Sequence, residues 1–150
     1  MTKKRVFITG ATGNMGGAAL KELLGRRDRF DIVLLARPGK KNIKKLKYLK
    51  DEPGVDIIWG DLTDYDSVLK GVTGADYVLH IGGMVSPAAD MYPERTLKVN
   101  VQGAMNVVNA VKAQPNRDDI GVVYIGSVAQ VGNHLPPRHW GRTGDPIYTS

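Results

Sequence analysis

A glycine turn near the start of the chain limits what it can fold into more than any other feature. Gly10, Gly13 and Gly16 stand in TGATGNMGG, directly after the apolar run Arg5-Val6-Phe7-Ile8-Thr9. A stretch with apolar residues at helical spacing follows at once. In a strand-to-helix turn of this kind, one glycine permits the tight turn and a second lets a pyrophosphate approach the backbone. A third lets helix pack on strand. The helix N-terminus offers free N–H groups and the positive end of its dipole to anionic oxygens. The spacing is GxxGxxG rather than the commoner GxGxxG. With 18 glycines in 150 residues, three so spaced arise by chance in roughly one such chain in four, so the motif depends on its context.

The rest of the chain supplies that context. Asn14 to Arg27 is expected to be helical, with Met15, Ala18, Ala19, Leu20, Leu23 and Leu24 at helical spacing. Asp31 to Ala36 reads as a second strand, and the lysine-rich stretch around Ile43, Leu46 and Leu49 as a second helix. Val55 to Trp59 is a third strand, followed by a short helix near Asp64 to Lys70. Asp76 to Ile81 is a fourth strand. Arg95 to Ala113 is the longest helix, with Leu97, Val101, Ala104, Val107, Val108 and Val111 on one face and Pro115 closing it. Gly121 to Ile125 is a fifth strand, and after Ser127 the pattern dissolves into what is expected to be loop.

Strands alternating with helices imply βαβ units and a parallel sheet. Continuously apolar strands imply cover on both faces. The expectation is one domain over residues 1–150: an α/β, three-layer Rossmann fold with a doubly wound parallel sheet of order 3-2-1-4-5. Ligands of such sheets bind at the C-terminal strand ends, where the strand order reverses.

Composition removes several classes of function. There is no cysteine, which excludes disulfides, thiolate metal sites and cysteine nucleophiles and fits a cytoplasmic protein. No metal site is expected. No apolar run approaches the ~18 residues of a membrane span, and the opening MTKKRVFITG is too short in its apolar part for a secretory leader. The net charge of +6 owes much to Lys40, Lys41, Lys44, Lys45, Lys47 and Lys50. These read as a solvated helix face or as attraction for phosphate. With only Tyr48 among them, they lack the interleaved aromatics of a nucleic-acid surface.

In NAD-binding sheets an acidic residue ends the second strand and takes the ribose hydroxyls. Here the strand ends Leu34-Leu35-Ala36-Arg37-Pro38, with no carboxylate. A guanidinium at Arg37 can grip a 2′-phosphate, which favours NADP over NAD. The alternative is a surface arginine that merely closes the strand, with NAD still accepted. Asp61, in GDLTD after the third strand, can accept a hydrogen bond from an adenine amino group, cap the next helix, or both.

With these pieces in place the chain resembles the extended short-chain dehydrogenase/reductases, the NAD(P)-dependent epimerase/dehydratase family. The resemblance runs through TGATGNMG, GDLTD, HIGGMVS, KVNVQGAMNVVNAV and VYIGSVAQVG, in that order. It implies that Gly10, Gly13 and Gly16 lie on the pyrophosphate, with Ala11, Thr12, Asn14 and Met15 lining the same loop. Asp61 and Leu62 would contact adenine. His80, Gly82 and Gly83 would lie along the cofactor's middle, with Met84 on the nicotinamide side. Asn100 matches the family's asparagine in the long helix, and Ser127 its catalytic serine or threonine. Each has a structural alternative. His80 can be a satisfied strand-end histidine, Asn100 can bind only backbone, and Ser127 can end a strand without chemistry, while Ser86, in the loop after the fourth strand, can touch substrate or only start a turn.

One feature departs from the family pattern. Family chemistry uses a tyrosine with a lysine four residues later, because a free tyrosine near pH 10 exchanges protons poorly at neutral pH. Here the only tyrosine near the right place is Tyr148, two residues before Ser150. The Tyr-x-x-x-Lys pair is therefore expected just after the end, together with the later strands and the substrate lobe, and these 150 residues alone are expected to be inactive. The resemblance implies an oxidoreductase, epimerase or dehydratase that moves hydride to or from a carbinol or carbonyl carbon of a small molecule, nucleotide sugars being the commonest substrates. The alternative is a non-catalytic NADP-sensing regulator on the same fold. An unpaired sheet edge would favour a homodimer.

Overall fold

Val6, Phe7 and Ile8 are apolar in succession, so their strand needs cover on both sides. The computed structural model, which describes residues 2–127, provides that cover. Five parallel strands, β1 (Lys4–Thr9), β2 (Phe30–Ala36), β3 (Val55–Trp59), β4 (Tyr77–His80) and β5 (Gly121–Tyr124), form one sheet of order β3-β2-β1-β4-β5. This is the expected order, and the reversal falls between β1 and β4.

Alternate residues of each strand face opposite helical layers. On one side Phe7, Val33, Leu35, Ile58 and Val78 pack with Val68 and Val72 of α3 (Tyr65–Val72) and with Val107 and Ala110 of α6 (Gly103–Lys112). On the other, Ile8, Ile32, Leu34 and Ala36 pack with Leu20 of α1 (Asn14–Leu24), Leu46 of α2 (Lys40–Leu46) and Leu49 of the 3₁₀ turn Lys47–Leu49. Full burial of one such side chain contributes about 1.5–3 kcal/mol. Gly71 brings α3 onto the sheet, for a Cβ there would collide with the Phe7 ring.

The helices differ from expectation in three places. The first ends at Leu24, with Gly25 as its C-cap. The longest helix is interrupted: α5 (Pro93–Leu97) passes through a π-helical turn, Lys98–Gln102, into α6. A short α4 (Ala88–Met91) precedes it, with too few residues to show a period. Full cover also fails at one edge, where Val123 and Tyr124 of β5 are exposed. The expected loop after Ser127, and Tyr148 within it, lie outside the described residues.

Candidate functional site

The loops that leave β1 and β4 meet at the point of reversal. Gly10 has φ +75°, and a Cβ there would stand 2.7 Å from Gly82 Cα and N. Neither position accommodates a side chain without moving the other loop. The Gly13 N–H donates to the Gly10 carbonyl at 2.9 Å and closes the turn. Gly16 is buried where a Cβ would collide with that same carbonyl.

The turn delivers a bare helix end. Gly13 is the N-cap of α1, with no side-chain cap and no acidic residue in the first turn. The N–H groups of Asn14, Met15 and Gly16 precede the helix's own acceptors and point out of its end. Asn14 and Met15 are exposed beside them. Ala11, by contrast, is 2% exposed and packs in the core, so only its backbone lines the loop. The Thr12 carbonyl accepts from Lys45 Nζ at 2.6 Å. Arg37 stands exposed after β2, its carbonyl accepting from Asn42 Nδ2 at 2.9 Å.

The loop after β3 is held from within and from behind. Asp61 Oδ1 accepts from both the N–H and the hydroxyl of Thr63, each at 2.9 Å. The cap of α3 is Asp64, which accepts from the Asp66 N–H, so that role does not fall to Asp61. Leu62 is wedged in place: a Cβ on Gly82 would lie 2.9 Å from its Cδ1, and one on Gly103 would lie 3.1 Å from its Cβ. Its carbonyl accepts from Asn106 Nδ2 at 2.7 Å.

After β4, Asn100 uses both ends of its amide on one residue. Its Oδ1 accepts the Met84 N–H at 2.7 Å and its Nδ2 donates to the Met84 carbonyl at 3.0 Å. Both hydrogen bonds go to backbone, so Asn100 clamps the loop after β4. Gly83 is exposed beside it. Ser86 donates to Asp90 at 2.9 Å and closes a turn. Ser127 is exposed three residues beyond β5.

His80 is the last residue of β4. Its side chain lies on the Phe7 and Val78 face of the sheet, 4% exposed, with Nδ1 2.8 Å from the Thr9 hydroxyl. Its ring stacks obliquely on Tyr124 at 5.6 Å between centroids. Burial pushes its pKa below the ordinary 6.5. The imidazole is therefore built into the sheet as a neutral strand-end group, because the period of two turns residue 80 to the same side as residue 78.

Three residues at the site were given no individual role from the sequence. Thr9 and Asn106 each carried a signal, a polar residue on an otherwise apolar face. Lys45 carried none that separates it from its five neighbouring lysines. A groove of about 420 Å³ between α2 and the outer edge of β3, lined by Ile43, Leu46, Ile57 and Trp59, contains no residue of the glycine turn. Among the described residues no cluster of three acidic or histidine side chains is arranged to hold a metal. No helix among them is long and apolar enough to cross a membrane.

Known proteins share this architecture. Residues 6–150 match the family described as NAD dependent epimerase/dehydratase. The chain is 31% identical over 111 residues to UDP-glucose 4-epimerase of Rickettsia bellii, covering 71% of this chain and 32% of that protein. The Rickettsia akari UDP-glucose 4-epimerase is 32% identical over the same shares. The match thus spans about a third (32%) of the length of these curated relatives. Among solved structures, the Bordetella bronchiseptica enzyme WbmH in complex with NAD+ superposes with a TM-score of 0.73 at 25% identity, covering 98% of this chain and 46% of that one. A short-chain dehydrogenase/reductase superfamily protein from Agrobacterium tumefaciens with bound NAD shares the fold, with a TM-score of 0.70 at 20% identity over 97% of this chain and 39% of that one.

Proposed function

This chain belongs to the NAD dependent epimerase/dehydratase family, and we propose that it is the dinucleotide-binding part of an enzyme that epimerises, dehydrates or reduces a nucleotide sugar or a related carbonyl compound. The carrying observation is the contact of Gly10 with Gly82 beside the uncapped end of α1, at the reversal of strand order. Added side chains would fill that cradle, and the free N–H groups in it suit a pyrophosphate. The residues therefore fit a nicotinamide dinucleotide.

Such a cofactor supplies the hydride donor and acceptor when bound. The protein's share is placement. Gly10, Gly13, Gly16 and the first N–H groups of α1 would hold the pyrophosphate. Asp61 Oδ1 is taken by Thr63, which leaves its other oxygen to accept from the adenine amino group. Gly82, Gly83 and Met84 would border the nicotinamide side, with Asn100 keeping Met84 in position. Ser127 would donate to the substrate oxygen and polarise it.

The choice between NAD and NADP turns on the end of β2. The family description and the NAD-bound neighbours favour NAD. Arg37, with no carboxylate beside it, favours NADP, and we propose that it reads the 2′-phosphate. Calorimetric titration with NADPH and NADH side by side tests both levels. Tighter NADPH binding by about 1–3 kcal/mol, lost in Arg37→Ala, supports the arginine reading. Equal or better NADH binding removes it and leaves an NAD site. Binding of neither removes the proposed function itself.

A further inference from the structure

Asn106 is buried on α6, next to Val107, which packs with Val68 and Val72 of α3. A buried amide is costly unless it is hydrogen-bonded, and a valine or leucine would pack there without that cost. Its Nδ2 donates to the Leu62 carbonyl at 2.7 Å, across 44 residues of chain. The target is the backbone of the short loop between β3 and α3, one residue after Asp61.

That loop has little room to relax. Leu62 is pressed between the backbones at Gly82 and Gly103, and Thr63 fixes one oxygen of Asp61. Asn106 supplies the tie from the helix behind. We propose that Asn106 is a positioning residue for adenine recognition: by fixing the Leu62 backbone it aims the free oxygen of Asp61, so that the site prefers a 6-amino purine over a 6-oxo purine. This rests on the proposed dinucleotide site. It goes beyond that site in giving the adenine preference to a side chain that does not touch the ligand.

The test is titration of the purified protein with NADH and with its hypoxanthine analogue, in which an oxygen replaces the 6-amino group. Wild type is expected to prefer NADH by about tenfold or more, the scale of one hydrogen bond to a charged acceptor. Asn106→Leu is expected to bring the two within about threefold by weakening NADH while leaving the analogue nearly unchanged. A purely structural role would weaken both equally or neither, and either result in the folded variant overturns the inference. Gly103→Ala is the second arm. It pushes a Cβ against Leu62 from the same helix without removing a polar group, and a partial loss of the same preference is expected. If Asn106→Leu does not fold, Gly103→Ala decides, and an unchanged preference there overturns the inference. Wild type binding both dinucleotides equally also overturns it while the dinucleotide site stands. If neither binds, the same comparison is made with NADPH and its hypoxanthine analogue, and binding of none of the four removes the site and the inference with it.

Discussion

The Thr9 hydroxyl and Nδ1 of His80 meet at 2.8 Å where β1 and β4 end side by side. The same hydroxyl accepts the Gly82 N–H at 3.0 Å. One small side chain thus joins the strand end, the imidazole and the loop that faces the glycine turn. Thr9→Val keeps the shape and removes this partner from two buried or half-buried polar groups. The expected loss is about 1–3 kcal/mol in chemical denaturation. A loss below about 0.5 kcal/mol would show that the hydroxyl is dispensable.

Burial of His80 makes stability depend on pH. Its folded pKa lies below 6.5, its ordinary value in an unfolded chain. Between the two values the unfolded chain binds more protons, so stability rises with pH there. The contribution is complete above 6.5 and is lost as pH falls through the folded value. Unfolding free energy should climb with pH below 6.5 and level off above it, and His80→Gln should flatten that climb. Asp76 does not confuse the measurement. The Lys4 hydrogen bond, followed by the Arg5 N–H, holds its carboxyl below 3.8, so its contribution fades only in stronger acid.

Gly16→Ala drives a Cβ into the Gly10 carbonyl oxygen, a backbone atom that cannot turn aside. Overpacking of this kind costs about 1–3 kcal/mol. Because the turn itself is displaced, NADH affinity is expected to fall by about tenfold or more. Gly39→Ala is the matched control. Nothing lies within 4 Å of its added Cβ, and a change within about ±0.5 kcal/mol is expected.

Asn100→Ala releases Met84 from two hydrogen bonds. Stability should fall by about 1–2 kcal/mol. The informative readout is the pair NADH and ADP-ribose, which lacks the nicotinamide. A clamp on the loop after β4 predicts a larger loss for NADH than for ADP-ribose. Equal losses would count against it.

Much of the fold and some of the site could be read from neighbouring residues alone. The run Val6-Phe7-Ile8, the helical spacing after Asn14 and the glycines between them are local patterns, and the handedness of βαβ crossovers turns them into a sheet order. Asp61 and Arg37 became candidates for the same reason, Arg37 directly after β2 and Asp61 two residues after β3. Other features depended on contacts that no local pattern encodes. The Thr9 partner lies 71 residues away and the Asn106 partner 44. Lys45 reaches Thr12 across 33 residues, from a lysine run whose members look alike. The π-helical turn at Lys98–Gln102 was invisible to a period that assumes an unbroken helix.

What the sequence determined by itself was the five strands with the main helices between them, the strand order in the sheet and the end of the sheet at which a phosphate would sit. These follow from residue periodicity, glycine stereochemistry and chain handedness. What only the tertiary structure decided was which polar groups spend their hydrogen bonds inside the protein. His80 and Asn100 are satisfied by Thr9 and Met84, while the first N–H groups of α1 have no cap. That division depends on which atoms packing brings within about 3 Å of one another, a distance set by the folded chain as a whole.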